Sequence, residues 1–101
     1  MLTEEYFAWL QERRPTAAAV IHEIKRCQQV EDSLQIALDA EYQKDFGVFL
    51  LEQLTYTAED ARCGRLPKCA IAFAPEINLY KGMERLKTAV ESYFAFLETR
   101  I

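Results

Sequence analysis

The clearest pattern in the chain is an apolar stripe in its last quarter, over residues 75–101. Large apolar residues recur there every three or four positions, the spacing that places side chains on one side of an α-helix. The stripe consists of Ile77, Tyr80, Met83, Leu86, Val90, Phe94, Leu97 and Ile101, and it is widened by Ala89, Tyr93 and Phe96. The pattern predicts one long amphipathic helix on which the other elements pack.

Two shorter helices are predicted before it. The first begins at an N-cap on Thr3 and ends near Arg14, because the residue before Pro15 avoids the α conformation. The second begins at residues 15–16, where Thr16 can cap it or Pro15 can occupy its first turn. The first helix is predicted to have Tyr6, Phe7 and Leu10 on its inner face with Trp9 at the edge. In the second, Ala17, Val20, Ile21, Ile24 and Cys27 have clear helical spacing, and Glu23, Lys25 and Arg26 are predicted to face solvent.

The middle of the chain leaves one boundary open. Residues 28–45 contain no Gly or Pro, and Asp32 with Gln35 has the spacing of a capping box that would begin a third helix. Alternatively, residues 34–38 form a short irregular link. In either case we expect Asp39 and Asp45 to cap the elements that follow them.

Residues 46–63 again have helical spacing, with Leu50, Leu51, Leu54, Ala58 and Ala61 on one face. A break is predicted near Tyr56, after which Thr57 and Asp60 restart the helix, and Gly64 is the expected end.

Residues 65–74, which contain Pro67 and are followed by Pro75, are not helical in pattern. The apolar residues 69–73 could form a short strand or a buried connection, and because a lone strand would lack a partner we expect a loop packed across the bundle. The predicted fold is therefore all-α: one domain over residues 1–101, a bundle of four or five helices with one short non-helical link near residues 65–75. We expect Leu54 and Val90 in its core.

Composition and charge narrow the protein class. Half of the 101 residues are hydrophobic, enough for a core, and the net charge is −4. An acidic chain is an unusual general binder of nucleic acids, although a local basic cluster can still bind them. Three cysteines, an odd number, suit a reducing compartment better than a disulfide framework. With no signal-peptide pattern and no long apolar run, we expect a cytoplasmic protein without a membrane partner.

The sequence contains little that indicates a catalytic or a metal-binding site. His22, the single histidine, lies beside Glu23 without a recognisable nucleophile motif, so we expect a helical histidine and no enzyme. Cys63 and Cys69, with Cys27 and His22, have looser spacing than zinc ligands usually show. We expect free thiols, no metal, no cofactor and no small-molecule substrate.

Ten of the twelve basic residues occur in four groups: Arg13 and Arg14; Lys25 and Arg26; Arg62, Arg65 and Lys68; and Lys81, Arg85 and Lys87. Lys81 and Arg85 are four positions apart, so they share a helix face. Either these groups converge on one positive patch, or each complements a helix C-terminus and keeps the bundle soluble.

Two stretches resemble a known family. Residues 6–10 (YFAWL), 15–16 (PT) and 24–26 (IKR) resemble the opening of SAM-like helical domains, which are the core-binding domains of tyrosine recombinases and related N-terminal modules of some bacterial nucleases. Residues 89–97 (AVESYFAFL) are similar to the closing helix of those modules. The chain departs from the pattern at Val20, where a tyrosine is usual, and at the inserted Pro15.

The resemblance implies a helical bundle that grips DNA with its second and last helices, which would place Thr16, Lys25, Arg26, Arg85 and Lys87 near the nucleic acid. It implies no strand cleavage, since these 101 residues contain no counterpart of the recombinase catalytic domain.

Two hypotheses for function follow. In the first, the chain is a non-catalytic module that binds DNA phosphates through Thr16, Lys25, Arg26, Arg62, Arg65, Lys68, Lys81, Arg85 and Lys87. In the second, it is an acidic protein-interaction adaptor, an inhibitor or a homodimer. Its contact would then be an exposed aromatic patch drawn from Trp9, Phe49, Phe73 and Phe96.

Overall fold

The computed structural model describes residues 1–100, and Ile101, the last position of the predicted stripe, lies outside the described residues. The described residues form an all-α bundle, as predicted. Five longer helices build it, and the sixth helical segment, α5, is little more than one turn. The bounds are α1 (Thr3–Gln11), α2 (Ala17–Leu34), α3 (Leu38–Asp45), α4 (Val48–Leu54), α5 (Ala58–Arg62) and α6 (Leu79–Glu98).

The long C-terminal helix α6 is the centre of the bundle, and the other five helices all contact it. It begins at Leu79 and not at residue 75, because the side chain of Asn78 accepts the Lys81 N–H at 3.0 Å and residues 75–77 form a turn before that cap. Ile77 is consequently outside the helix, and 43% of its surface is exposed. The predicted stripe is otherwise confirmed by the buried residues of α6, which include Met83, Leu86, Ala89, Val90, Tyr93, Phe94 and Phe96.

The predicted ends of α1 are wrong at both sides. Leu2 is the N-cap and Thr3 is already helical, without a capping hydrogen bond. The helix ends at Gln11, because the N–H groups of Arg13 and Arg14 both turn back to the Leu10 carbonyl at 2.8 Å. Thr16 is confirmed as the cap of α2, since its hydroxyl accepts the Ala19 N–H at 3.1 Å.

The open boundary in the middle of the chain is settled in favour of the short link. Helix α2 continues through Asp32 to Leu34, so Asp32 and Gln35 form no capping box, and Gln35 ends the helix in the left-handed conformation. Glu31, rather than Asp39, caps α3 by accepting the Leu38 N–H at 2.9 Å.

Asp45 does cap the next element, as predicted. Its carboxylate accepts the N–H groups of Gly47 at 3.1 Å and Phe49 at 3.0 Å, at the start of α4.

The break near Tyr56 and the restart at Thr57 are confirmed by a complete capping box. The Thr57 hydroxyl accepts the Asp60 N–H at 3.0 Å, and the Asp60 carboxylate accepts the Thr57 N–H at 2.9 Å. Gly64 follows α5 with a φ of +70°, a conformation that glycine adopts without steric cost. Ala58 and Ala61, predicted to face the core, are exposed.

The capping box predicts a pH dependence. The hydrogen bond from Thr57 and then the Arg65 guanidinium lower the pKa of Asp60 to about 2. A carboxylate with a depressed pKa stabilises the fold above its unfolded pKa of about 4, and this contribution is lost as the pH falls through the folded pKa. We therefore expect Asp60→Asn to be less stable than the wild type near neutral pH, with the difference shrinking as the pH falls from about 4 to about 2. Urea unfolding at several pH values measures this, and a pH-independent difference would contradict it.

The link over residues 63–78 is non-helical, as predicted, but of the expected buried segment 69–73 only Ile71 is buried, with Cys69 and Phe73 half-buried and Ala70 and Ala72 exposed. The Phe73 ring lies against Gly82 of α6 so closely that a Cβ there would be 2.9 Å from a ring carbon. Leu54 and Val90 are both fully buried, which confirms the predicted core positions. No helix within residues 1–100 has the length and apolar character that crossing a membrane requires.

Candidate nucleic-acid interface

A groove between α2 and α6 gathers basic side chains from three parts of the chain. Its volume is about 570 Å³. Its charged lining consists of Arg14 from the turn after α1, Glu23 and Arg26 from α2, and Lys81, Glu84 and Arg85 from α6. His22 also lines it. We call this feature the basic groove, since its four cations outnumber its two carboxylates.

Helical spacing explains why these side chains meet. His22 and Arg26 are four positions apart on α2, and Lys81 and Arg85 are four apart on α6, so each pair projects from one helix face. The two helices pack on each other through apolar residues, which places the two polar faces on the sides of the same groove.

One of the four cations is already engaged within the fold. The Arg14 guanidinium donates two hydrogen bonds to the Glu23 carboxylate, at 2.7 and 2.8 Å, and a longer one to the Ser92 hydroxyl at 3.3 Å. Ser92 also accepts the Tyr6 O–H at 3.0 Å, so the network joins α1, α2 and α6. The Glu23 hydrogen bond raises the pKa of Arg14, and burial raises the pKa of Tyr6.

This network corrects the prediction that Glu23 faces solvent. Glu23 is only 8% exposed, because the turn before Pro15 carries Arg14 across to the inner side of α2. The spacing of apolar residues along α2 contains no sign of that partner.

The other three cations of the groove are available to a ligand. Within residues 1–100, no carboxylate oxygen lies within 4.0 Å of the charged nitrogens of Arg26, Lys81 or Arg85. Lys25 extends this surface, since it lines a shallow depression together with His22 and Arg26.

The remaining predicted contact residues lie elsewhere. Lys87 lines a separate depression beside Tyr80, and Arg62 and Lys68 are exposed outside the groove. Arg65 lies outside it too and is bound to Asp60 at 2.8 Å. Thr16 does not line the groove, and its hydroxyl oxygen accepts the capping bond of α2. The groove thus brings together Arg26, Lys81 and Arg85 from the predicted set. It adds His22 and also Arg14, which the sequence analysis placed in a basic group but not among the predicted phosphate-binding residues.

The thiols and acidic residues form no assembled centre in the described part of the chain. Across residues 1–100 no three His, Cys, Asp or Glu side chains are grouped so that they could hold a metal ion. The cysteines are free: Cys63 is exposed, Cys69 is half-buried, and Cys27 is buried against the Ala89 carbonyl at 3.4 Å. Burial raises the pKa of the Cys27 thiol to about 12.

The predicted aromatic patch is largely wrong in its membership. Phe96 is buried, because it packs against the rings of Tyr6, Trp9 and Tyr93 with centroid distances of 5.4 to 5.7 Å. Trp9 and Phe73 are half-buried. Phe49 is exposed as predicted.

No protein-family model matches the chain, and neither the curated proteins nor the solved structures contain a significant match to it.

Proposed function

We propose that the protein is a non-catalytic helical module that binds nucleic acid through the basic groove. The observation that carries the proposal is the meeting of Arg26 from α2 with Lys81 and Arg85 from α6 on one concave surface. These three cations have no carboxylate partner in the described structure, and two packed helices hold them on one surface. Such an arrangement fits a chain of phosphates better than cations at separate, solvated helix ends would.

Phosphate contacts would supply the binding energy. Each arginine offers a planar fork of donors that matches two phosphate oxygens, and Lys81 adds a point charge. Such contacts position a nucleic acid without reading its bases, so little sequence preference is expected. The family resemblance points to the same two helices.

The acidic net charge of the chain lowers its expected affinity for nucleic acid. A chain of charge −4 repels a polyanion at long range, so binding depends on the local groove and should be weak. We expect a dissociation constant on the order of micromolar or poorer for duplex DNA at physiological salt.

The test compares two double charge reversals of equal net charge. Arg26→Glu with Arg85→Glu removes two groove cations, whereas Arg62→Glu with Lys68→Glu changes two exposed cations outside it. In fluorescence-anisotropy titrations of labelled duplex at low salt, the groove variant should lose most of its binding and the control should keep most of it. The dependence of log K on log salt should flatten by about 0.9 for each phosphate that is no longer neutralised by a protein cation.

Two outcomes would overturn the proposal. One is a wild-type protein that fails to bind duplex or single-stranded DNA at low salt. The other is equal weakening by both double variants, which would assign the effect to net charge alone. Circular dichroism checks that both variants remain folded, as expected for substitutions of residues outside the core.

We place the module in the cytoplasm. The proposal rests on the three free thiols, one of them exposed at Cys63, because a reducing compartment preserves such side chains.

A further inference from the structure

A second surface, formed by α3, α4 and the C-terminal half of α6, is apolar and exposed. Three large side chains within four consecutive positions face solvent at the turn between α3 and α4: Phe46 is 70% exposed, Val48 63% and Phe49 56%. We call residues 45–49 the aromatic turn. Folding alone does not favour such a cluster in water, and clusters of this kind mark interaction sites.

The turn is held in a defined shape. Phe46 adopts a left-handed conformation with a φ of +59°, which is unfavourable for a bulky side chain, and Gly47 follows with a φ of +77°. Asp45 fixes the turn through its two backbone hydrogen bonds. Gly47 lies so close to Phe94 that a Cβ would be 2.1 Å from the ring. A strained, rigid turn that presents an aromatic ring to water suggests a function for that ring.

Two shallow grooves adjoin Phe46 and Tyr42. The larger, of about 710 Å³, has an apolar lining that includes Leu51 and Phe94, together with the carboxylates of Glu91 and Glu98. The smaller, of about 460 Å³, is lined by Leu2 and Leu97 with Asp39. All three charged residues that line the two grooves are therefore acidic.

The acidic residues have a spacing that a helix can match. Glu91 and Glu98 are seven positions apart on α6, which is two helical turns or about 10 Å along the axis. No cationic nitrogen in residues 1–100 lies within 4.0 Å of either carboxylate. A partner helix with basic residues two turns apart would pair with both.

We propose that the aromatic turn and the grooves beside it bind a cationic amphipathic helix of another protein. Apolar side chains of that helix would pack on Phe46 and into the larger groove, and its Lys or Arg residues would pair with Glu91 and Glu98. A second copy of this chain suits the surface less well. A two-fold interface presents the same patch from both molecules, which would set these carboxylates against each other.

The experiment uses a synthetic peptide as the probe. It is designed as an amphipathic helix with Leu at every third or fourth position and Lys residues seven apart, and a matched peptide carries Glu in place of Lys. In ¹⁵N-HSQC titrations of the full chain, the Lys peptide should shift amide signals of residues 42–51 and 91–98, and the Glu peptide should not.

Three variants locate the contact. Phe46→Ser should weaken binding of the Lys peptide by about tenfold or more, the effect of truncating a central aromatic anchor. Glu91→Gln with Glu98→Gln should weaken it and reduce its salt dependence. Leu66→Ser is the matched control, because Leu66 is 87% exposed and lines neither groove, so binding should not change. If Phe46→Ser folds poorly, Phe49→Ser tests the aromatic turn in its place.

Several results would overturn the proposal: no binding of the Lys peptide, equal binding by the Phe46 and Phe49 variants and the wild type, or signal shifts confined to the basic groove. A wild-type dimer that Phe46→Ser dissociates, seen by sedimentation, would instead assign the surface to a second copy. The basic-groove variant, Arg26→Glu with Arg85→Glu, should bind the peptide at least as well as the wild type. This proposal and the nucleic-acid proposal can therefore fail independently of each other.

Discussion

Replacing Arg14 with methionine is expected to lower the free energy of unfolding by about 3 kcal/mol. The Glu23 carboxylate would then lie at a site where its side chain is 10% exposed, without the two hydrogen bonds from the guanidinium. Breaking a buried ion pair by removing one partner costs about 3–5 kcal/mol. We expect the lower end because the Arg14 side chain is 32% exposed, so water can enter the space it leaves.

The double variant Arg14→Met with Glu23→Leu separates the loss of the pair from the cost of an unpaired charge. Apolar residues in place of both partners are often nearly neutral, so this variant should regain most of the stability that Arg14→Met removes. Arg13→Met is the neighbouring control. Arg13 is exposed, touches Glu12 at 3.6 Å and lies over the Trp9 ring at 4.1 Å, contacts worth at most about 1 kcal/mol. Urea unfolding measures all three, and a loss below about 0.5 kcal/mol for Arg14→Met would contradict the assignment of the pair as buried.

Leu54→Ala is expected to cost about 2–5 kcal/mol. Leu54 is fully buried at the end of α4, where that helix packs on α6. Removing its branched side chain forfeits the transfer free energy of its outer carbons and leaves a cavity that a rigid α4–α6 interface fills only in part.

The control for this substitution is Leu66→Ala, since Leu66 is almost wholly in water. It should change stability by less than about 0.5 kcal/mol. Thermal and urea unfolding measure both. Equal effects at the two positions would show that burial at residue 54 does not govern the loss.

Local signals predicted much of the fold. The caps at Thr16, Asp45 and the Thr57–Asp60 box depend on residues within four positions of one another, so sequence spacing could point to them. The same kind of signal was wrong at Thr3 and at Asp32 with Gln35. The buried stripe of α6 is equally local, because 3.6 residues per turn place its members on one side.

Features that depend on distant residues were missed or misplaced. Glu23 has the spacing of a solvent-facing residue, yet Arg14 reaches it. Phe96 fitted both the edge of the apolar stripe and an exposed aromatic patch, and its packing against rings of α1 decided for burial. The Leu38 N–H is capped by Glu31 rather than Asp39, because α3 begins at Leu38 and Asp39 is already within it. The Asp39 carboxylate instead accepts the Tyr93 O–H from α6. Phe46 was predicted to begin a helix. In the structure it has a left-handed backbone before α4, and its ring is exposed to water.

The candidate site divides in the same way. The sequence by itself placed Arg26, Lys81 and Arg85 in the predicted phosphate-binding set. It could not show which members of that set would share a surface. Packing of α2 on α6 decided that, because it brought two local polar faces together and left Arg62, Arg65 and Lys68 outside. Helical periodicity is a property of neighbouring residues and can be read along the chain, whereas the meeting of two faces depends on which helices bury their apolar stripes against each other.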